Sequence, residues 1–194
     1  MNLESLLVSA GVVALAEIGD KTQLLAFLLA ARFRKPLPII AGILVATIFN
    51  HGIAGALGAW IVASVDPKIL RWVLGASFIA MAIWTLIPDK IEAEESRFAA
   101  RYGVFGATLI TFFLAEMGDK TQIATVAMAA AYASPVLVVI GTTLGMLLAD
   151  VPAVLLGKKL AGRIPMKLVH GIAAAIFAVL GVATLMGIGA SHGF

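Results

Sequence analysis

Apolar residues run along this chain in long stretches, not at the three- and four-residue spacing of a surface helix, and short polar or proline-marked connections divide them. Six stretches stand out, at roughly 3–31, 38–64, 69–88, 103–132, 136–157 and 167–189, each near the ~20 residues that a helix needs to cross a bilayer core. The two-residue alternation of a barrel strand is missing, so helices are the structure that satisfies the backbone in lipid. Pro36, Pro67, Pro135 and Pro165 fall in the connections or at helix starts, where proline is tolerated. The pattern predicts an all-α integral membrane protein with six transmembrane helices.

One polar stretch interrupts the pattern, from Asp89 to Arg101, with Lys90, Glu92, Glu94, Glu95 and Arg97 within it. It reads as a solvated cytoplasmic linker with some helical character, over 89–102. It separates a first three-helix unit, 1–88, from a second, 103–194. The units repeat. Glu17 and Glu116 stand 99 residues apart, and so do Asp20 and Asp119. The same ungapped offset pairs Pro36 with Pro135, Gly42 with Gly141, Gly58 with Gly157, Lys68 with Lys167, Phe78 with Phe177 and Thr85-Leu86 with Thr184-Leu185. Three spans is an odd number, so the second unit crosses the membrane in the opposite sense. That is the inverted repeat of many secondary transporters.

Composition narrows the class. The chain is 61% hydrophobic and 13% charged, with a mean hydropathy of +1.05, more apolar surface than a soluble domain of this size hides. It has no cysteine, which excludes disulfides, thiolate zinc or copper(I) sites and cysteine nucleophiles. The net charge of +3 does not point to nucleic acid, because the basic residues flank apolar runs. Arg32, Arg34, Lys35, Lys90, Arg97, Arg101, Lys158, Lys159, Arg163 and Lys167 gather on one face, against Lys68 and Arg71 on the other. The positive-inside rule then places both termini outside the cytoplasm. The first stretch has no basic start, carries Glu4 and leads straight into Glu17 and Asp20, so it reads as a retained span and not a signal peptide.

The candidate chemistry is a doubled motif, Glu17-Ile18-Gly19-Asp20-Lys21-Thr22-Gln23 and Glu116-Met117-Gly118-Asp119-Lys120-Thr121-Gln122. Carboxylates three apart share a helix face, and Gln23 and Gln122 extend it by a turn. Each motif lies near the middle of its stretch, where one charge costs roughly 2.5–3.5 kcal/mol on insertion scales. Inverted symmetry brings both copies to the midplane. Glu17, Asp20, Glu116, Asp119, Gln23 and Gln122 then supply the oxygen donors that a hard divalent cation takes. Gly19 and Gly118 permit close helix approach or a local break that exposes carbonyls. Asn50, His51 and Asp150 are candidate pathway residues at similar depth, and Pro152 would loosen the helix after Asp150. The offset sets His51 opposite Asp150, and an imidazole ligand would favour manganese over calcium or magnesium. Lys21 sits four residues after Glu17, in place to pair with it or to neutralise part of an empty site. Cation entry that displaces protons gives a physical route to exchange.

Plainer roles remain for these residues: salt-bridge packing for the motif, interhelical glue for the glutamines and a packed polar role for His51. Enzyme readings fit poorly. Gly19-Asp20-Lys21-Thr22 lacks the GxxxxGK[ST] spacing of a phosphate loop. Glu17 and Glu116 stand where an intramembrane aspartyl protease motif has its first glycine, and no serine–histidine pairing is evident.

Two copies of E-x-G-D-[KR]-[TS], here Glu-Ile-Gly-Asp-Lys-Thr and Glu-Met-Gly-Asp-Lys-Thr, resemble the manganese and calcium exporter family of Golgi membranes and bacteria, a relation of the calcium/cation antiporters. The resemblance covers essentially the whole chain. It implies export of Mn2+, or Ca2+ in some members, in exchange for protons. It also implies that Glu17, Asp20, Glu116 and Asp119 bind the cation, with Thr22 and Thr121 supporting or ligating. The length and the start of the chain look like the bacterial members, which suggests a plasma-membrane exporter. The expected function is Mn2+/H+ antiport by alternating access, with a Ca2+/H+ antiporter or a passive divalent-cation channel as alternatives. The expected partners are the cation, protons and the lipid bilayer, with no nucleic acid and no fixed cofactor. A homodimer is left open.

Overall fold

The computed structural model describes residues 3–87, 99–132, 134–156 and 166–187. They form eight helices: α1 (Leu3–Glu17), α2 (Lys21–Phe33), α3 (Pro36–Ser64), α4 (Pro67–Thr85), α5 (Ala99–Glu116), α6 (Lys120–Ala131), α7 (Pro135–Leu156) and α8 (Met166–Leu185). No strand occurs among the described residues. Four helices, α3, α4, α7 and α8, are long and apolar enough to cross a membrane. Most of the expected linker, and the basic residues Lys90, Arg97, Lys158, Lys159 and Arg163, lie outside the described residues, as do the side chains of Arg101 and Lys167.

Proline opens the long helices as the sequence suggests. Pro36 starts α3, Pro135 starts α7, and Pro67 starts α4, where the Asp66 carboxylate accepts the Lys68 amide at 2.8 Å. α7 runs on through Pro152.

The stretches 3–31 and 103–132 do not form single helices, which corrects the six-helix expectation. Each is broken at its motif. α1 ends at Glu17 and α2 starts at Lys21; α5 ends at Glu116 and α6 starts at Lys120. The cause is local. Gly19 has φ 87° and Gly118 φ 76°, the left-handed region that glycine enters freely. Asp20 and Asp119 follow in extended conformation as helix N-caps. Of the two roles open to these glycines, the break is the one realised.

The halves interlock: α1 packs against α7, α3 against α5 and α4 against α8. Glycine sets the approach. A Cβ on Gly42 would come within 3.0 Å of the Phe105 carbonyl and 2.8 Å of Thr108 Cβ; one on Gly141 would meet the Leu6 carbonyl and Ser9. Residues 42 and 141, 105 and 6, and 108 and 9 are related by the repeat offset, so one contact is built twice. Gly141→Val should therefore destabilise the fold by about 1–3 kcal/mol through overpacking. The measurement is the thermal midpoint of the detergent-solubilised protein, and no drop would mean the interlock tolerates side chains.

Candidate cation site

The site is assembled where the two broken helices meet. At each break the motif glutamine folds back as a brace. The Gly19 amide donates to Gln23 Oε1 at 2.9 Å, and the Gly118 amide donates to Gln122 Oε1 at 2.7 Å. These bonds satisfy amides that the break leaves without a helical partner. The amide nitrogens reach into the other half. Gln23 Nε2 donates to the Ala149 carbonyl at 2.9 Å, and Gln122 Nε2 donates to Asn50 Oδ1 at 3.3 Å. Positions 50 and 149 are again related by the offset. Asn50 Nδ2 donates in turn to the Phe113 carbonyl at 3.1 Å. As placed, both glutamine oxygens hold the turns.

The threonines hold the glutamates. Thr22 Oγ1 donates to Glu17 Oε2 at 2.6 Å, and Thr121 Oγ1 donates to Glu116 Oε2 at 2.9 Å. Each glutamate is thereby oriented with its other oxygen, Oε1, free of any partner among the described residues.

Glu17, Asp20 and Asp119 come together. Each offers one oxygen, and these lie within 4.8 Å of one another, all buried. Glu116 is equally buried but stands outside this triangle. The lysines cross between halves. Lys21 Nζ lies 3.1 Å from Asp119 Oδ1, and Lys120 Nζ lies 3.2 Å from Asp20 Oδ1. The expected pairing of Lys21 with Glu17 is not formed. A contact four residues apart needs an unbroken helix, and Gly19 ends that helix between the two. For the same reason the motif carboxylates do not share one helix face: Glu17 closes α1 and Asp20 caps α2.

Asn50, His51 and Asp150 are all fully buried at α3 and α7. Asn50 joins the brace network. Neither ring nitrogen of His51 and neither oxygen of Asp150 has a partner among the described residues. Asp150 lies near enough to Glu17 and Glu116 for their charges to interact. His51 is not among the residues that close on the triangle.

His170 was not singled out from the sequence. Its Nε2 lies 3.1 Å from the Ile18 carbonyl, inside the first break. The signal was present, since 170 is the offset partner of Arg71.

Buried carboxylate oxygens without hydrogen-bond donors are costly in any protein interior. Here Glu17 Oε1 and Glu116 Oε1 are such oxygens among the described residues. The fold and site define a helical membrane protein with a cluster of buried carboxylates where its two broken helices meet. A sequence profile of the family described as divalent cation/proton antiporter GDT1 matches residues 5–93 and 104–191, and the chain belongs to that family. By its family it is a divalent cation/proton antiporter and not an enzyme. It is 53% identical over 180 residues, 92% of this chain and 89% of the relative, to a Vibrio cholerae protein whose name proposes a manganese exporter. It is 28% identical over 200 residues to GDT1-like protein 3 of Oryza sativa, covering 90% of this chain and 71% of the relative. GDT1-like protein 5 of Arabidopsis thaliana is 26% identical over 215 residues, 92% of this chain and 93% of the relative. No solved structure matches.

Proposed function

We propose that the chain exports Mn2+ in exchange for protons by alternating access. The observation that carries this reading is the pair of crossed Lys–Asp bridges beside the Glu17–Asp20–Asp119 triangle, because each half neutralises the other half's aspartate. Asp20 and Asp119 hold the cation, with Glu17 in the state described and Glu116 in the opposite one; Thr22 and Thr121 orient the glutamates, and Gln23, Gln122 and Asn50 brace the breaks. Two inverted units, 1–88 and 103–194, joined by a cytoplasmic linker, make six spans when α1–α2 and α5–α6 each count as one broken span. Support comes from the offset of the breaks and of the two family matches, which begin at residues 5 and 104. In this reading the protein lies in a bacterial plasma membrane with both termini outside the cytoplasm.

Charge balance makes the exchange concrete. The four motif carboxylates carry −4 and the two lysines +2. Within the motifs, the remaining −2 is cancelled by one divalent cation or by two protons. An entering cation displaces Lys21 Nζ and Lys120 Nζ from Asp119 and Asp20. On the return, the lysines reclaim the aspartates and two protons occupy the remaining carboxylates. The exchange is then electroneutral, two protons per cation. The cation binds the ionised carboxylates, so acidification on its own side weakens binding and acidification opposite drives transport.

The name of the 53%-identical relative favours Mn2+. The all-oxygen triangle, which does not include His51, suits Ca2+ as well, so Ca2+/H+ exchange is the second reading. The test is purified protein in liposomes with Mn2+, Ca2+, Mg2+ or Zn2+ and a pH-sensitive dye inside. Saturable Mn2+ flux with counterflow of two protons is expected. Flux that neither saturates nor moves protons would make the protein a channel.

A further inference from the structure

The two halves share a repeat but hold it in different conformations. Lys120 is 3% exposed, whereas its counterpart Lys21 is 27% exposed. α8 lies along α1 and α4 lies along α6, while the counterpart contacts, α4 with α5 and α8 with α2, are at most glancing. The sharpest difference is at the breaks. His170 on α8 reaches the Ile18 carbonyl at 3.1 Å. The repeat offset turns His170 into Arg71 on α4, and Ile18 into Met117. If the halves matched, Arg71 would reach the Met117 carbonyl. Instead its guanidinium lies over the Trp72 ring, 5.8 Å from the centroid, and its Nε has no hydrogen-bond partner among the described residues. Met117 is 56% exposed, while Ile18 is partly buried.

We propose that His170 is a positioning residue, the latch of the access state seen here, and that Arg71 is the latch of the opposite state, where it takes the Met117 carbonyl. This rests on the alternating-access reading above. The physical reason is the break itself. Ending α1 and α5 in the middle of a span leaves carbonyls without helical donors, and a donor from a neighbouring helix stabilises whichever break it reaches. Two inverted units that exchange conformations also exchange these contacts. His170 releases the Ile18 carbonyl as Arg71 closes on that of Met117, so one break is capped in each state. The histidine serves as a hydrogen-bond donor through Nε2–H.

The chain has no cysteine, so spin labels can be placed in pairs without prior engineering. The variant pair L24C/L168C reports the α2–α8 separation, and I69C/I123C reports its counterpart, α4–α6; all four positions are exposed. Distances are measured by pulsed electron paramagnetic resonance in liposomes. His170→Ala should shift the balance of the two populations roughly three- to tenfold, the weight of one hydrogen bond between helices in a membrane. The α2–α8 distance shortens and the α4–α6 distance lengthens. Arg71→Ala should shift both pairs the other way, and His170→Gln, which still donates, should keep the wild-type balance. Unchanged distances in His170→Ala would overturn the latch. So would both pairs lengthening together, which marks simple loosening, or His170→Gln behaving like the alanine variant. Wild-type protein with one fixed distance in each pair, whatever the Mn2+ concentration and pH, would overturn alternating access itself and the latch with it.

Discussion

Glu17→Gln and Glu116→Gln should both stop Mn2+ transport, with rates at least about a hundredfold below wild type, yet only one of them should lose Mn2+ binding in the state described. Loss of groups that merely support a metal ligand already weakens a site by ~10–100-fold, so a lost ligand charge does more. The distinction comes from the triangle. Glu17 belongs to it with Asp20 and Asp119, while Glu116 stands outside. Under the repeat offset, Glu17–Asp20–Asp119 becomes Glu116–Asp119–Asp20. Both aspartates are kept and the glutamate changes. In the opposite access state the third carboxylate is then Glu116, held ready by Thr121 as Glu17 is held by Thr22. Glu17→Gln should abolish binding measured by calorimetry on protein held in this state. Glu116→Gln should bind Mn2+ nearly as wild type there and fail only in turnover. Asp119→Asn removes a group common to both triangles and should lose binding and transport together. Wild-type flux in both glutamate variants would sink the site, and equal loss of binding in both would sink the exchange of glutamates.

The sequence made the helical class and the meeting of the two motifs legible for one physical reason: bilayer thickness and charge expense leave few ways to arrange 61% hydrophobic residues around four carboxylates set within apolar stretches. The crossed bridges were not legible. Pairing Lys21 with Glu17 assumes a continuous helix, and the left-handed φ of Gly19 removes that assumption along with the shared helix face. A glycine between two buried acids allows either a break or close packing, and only three-dimensional context separates them. The glutamines looked like ligands because their oxygens have the right chemistry. The break creates a nearer demand, the unpaired amides of Gly19 and Gly118, and the oxygens go there. His170 was hidden for another reason. It is not identical to its counterpart Arg71, and a repeat read by identical residues passes over positions where the same task falls to different side chains.

Lys120→Met should destabilise the protein far more than Lys21→Met, although the two residues are repeat counterparts. Lys120 and Asp20 are each 3% exposed, and removing one partner of a buried ion pair costs about 3–5 kcal/mol. For a chain of this size that is a fall in thermal midpoint of roughly 6–20 °C, at about 2–4 °C per kcal/mol. Lys21 is 27% exposed, so solvent relieves part of what Asp119 loses in Lys21→Met, and the fall should be smaller. Melting followed by intrinsic tryptophan fluorescence separates them. Two further measurements connect the stability to the exchange. Lys120→Met combined with Asp20→Asn removes the whole pair and should regain most of the lost stability without regaining transport, because the uncompensated charge is gone but so is a ligand. Adding Mn2+ should raise the midpoint of Lys120→Met more than that of wild type, because in the variant the cation supplies the charge that the Lys120 ammonium supplied and displaces only Lys21, not two ammonium groups. Equal midpoints for the two lysine variants, or no extra Mn2+ stabilisation in Lys120→Met, would show that the ammonium groups and the cation do not compete for the same aspartates.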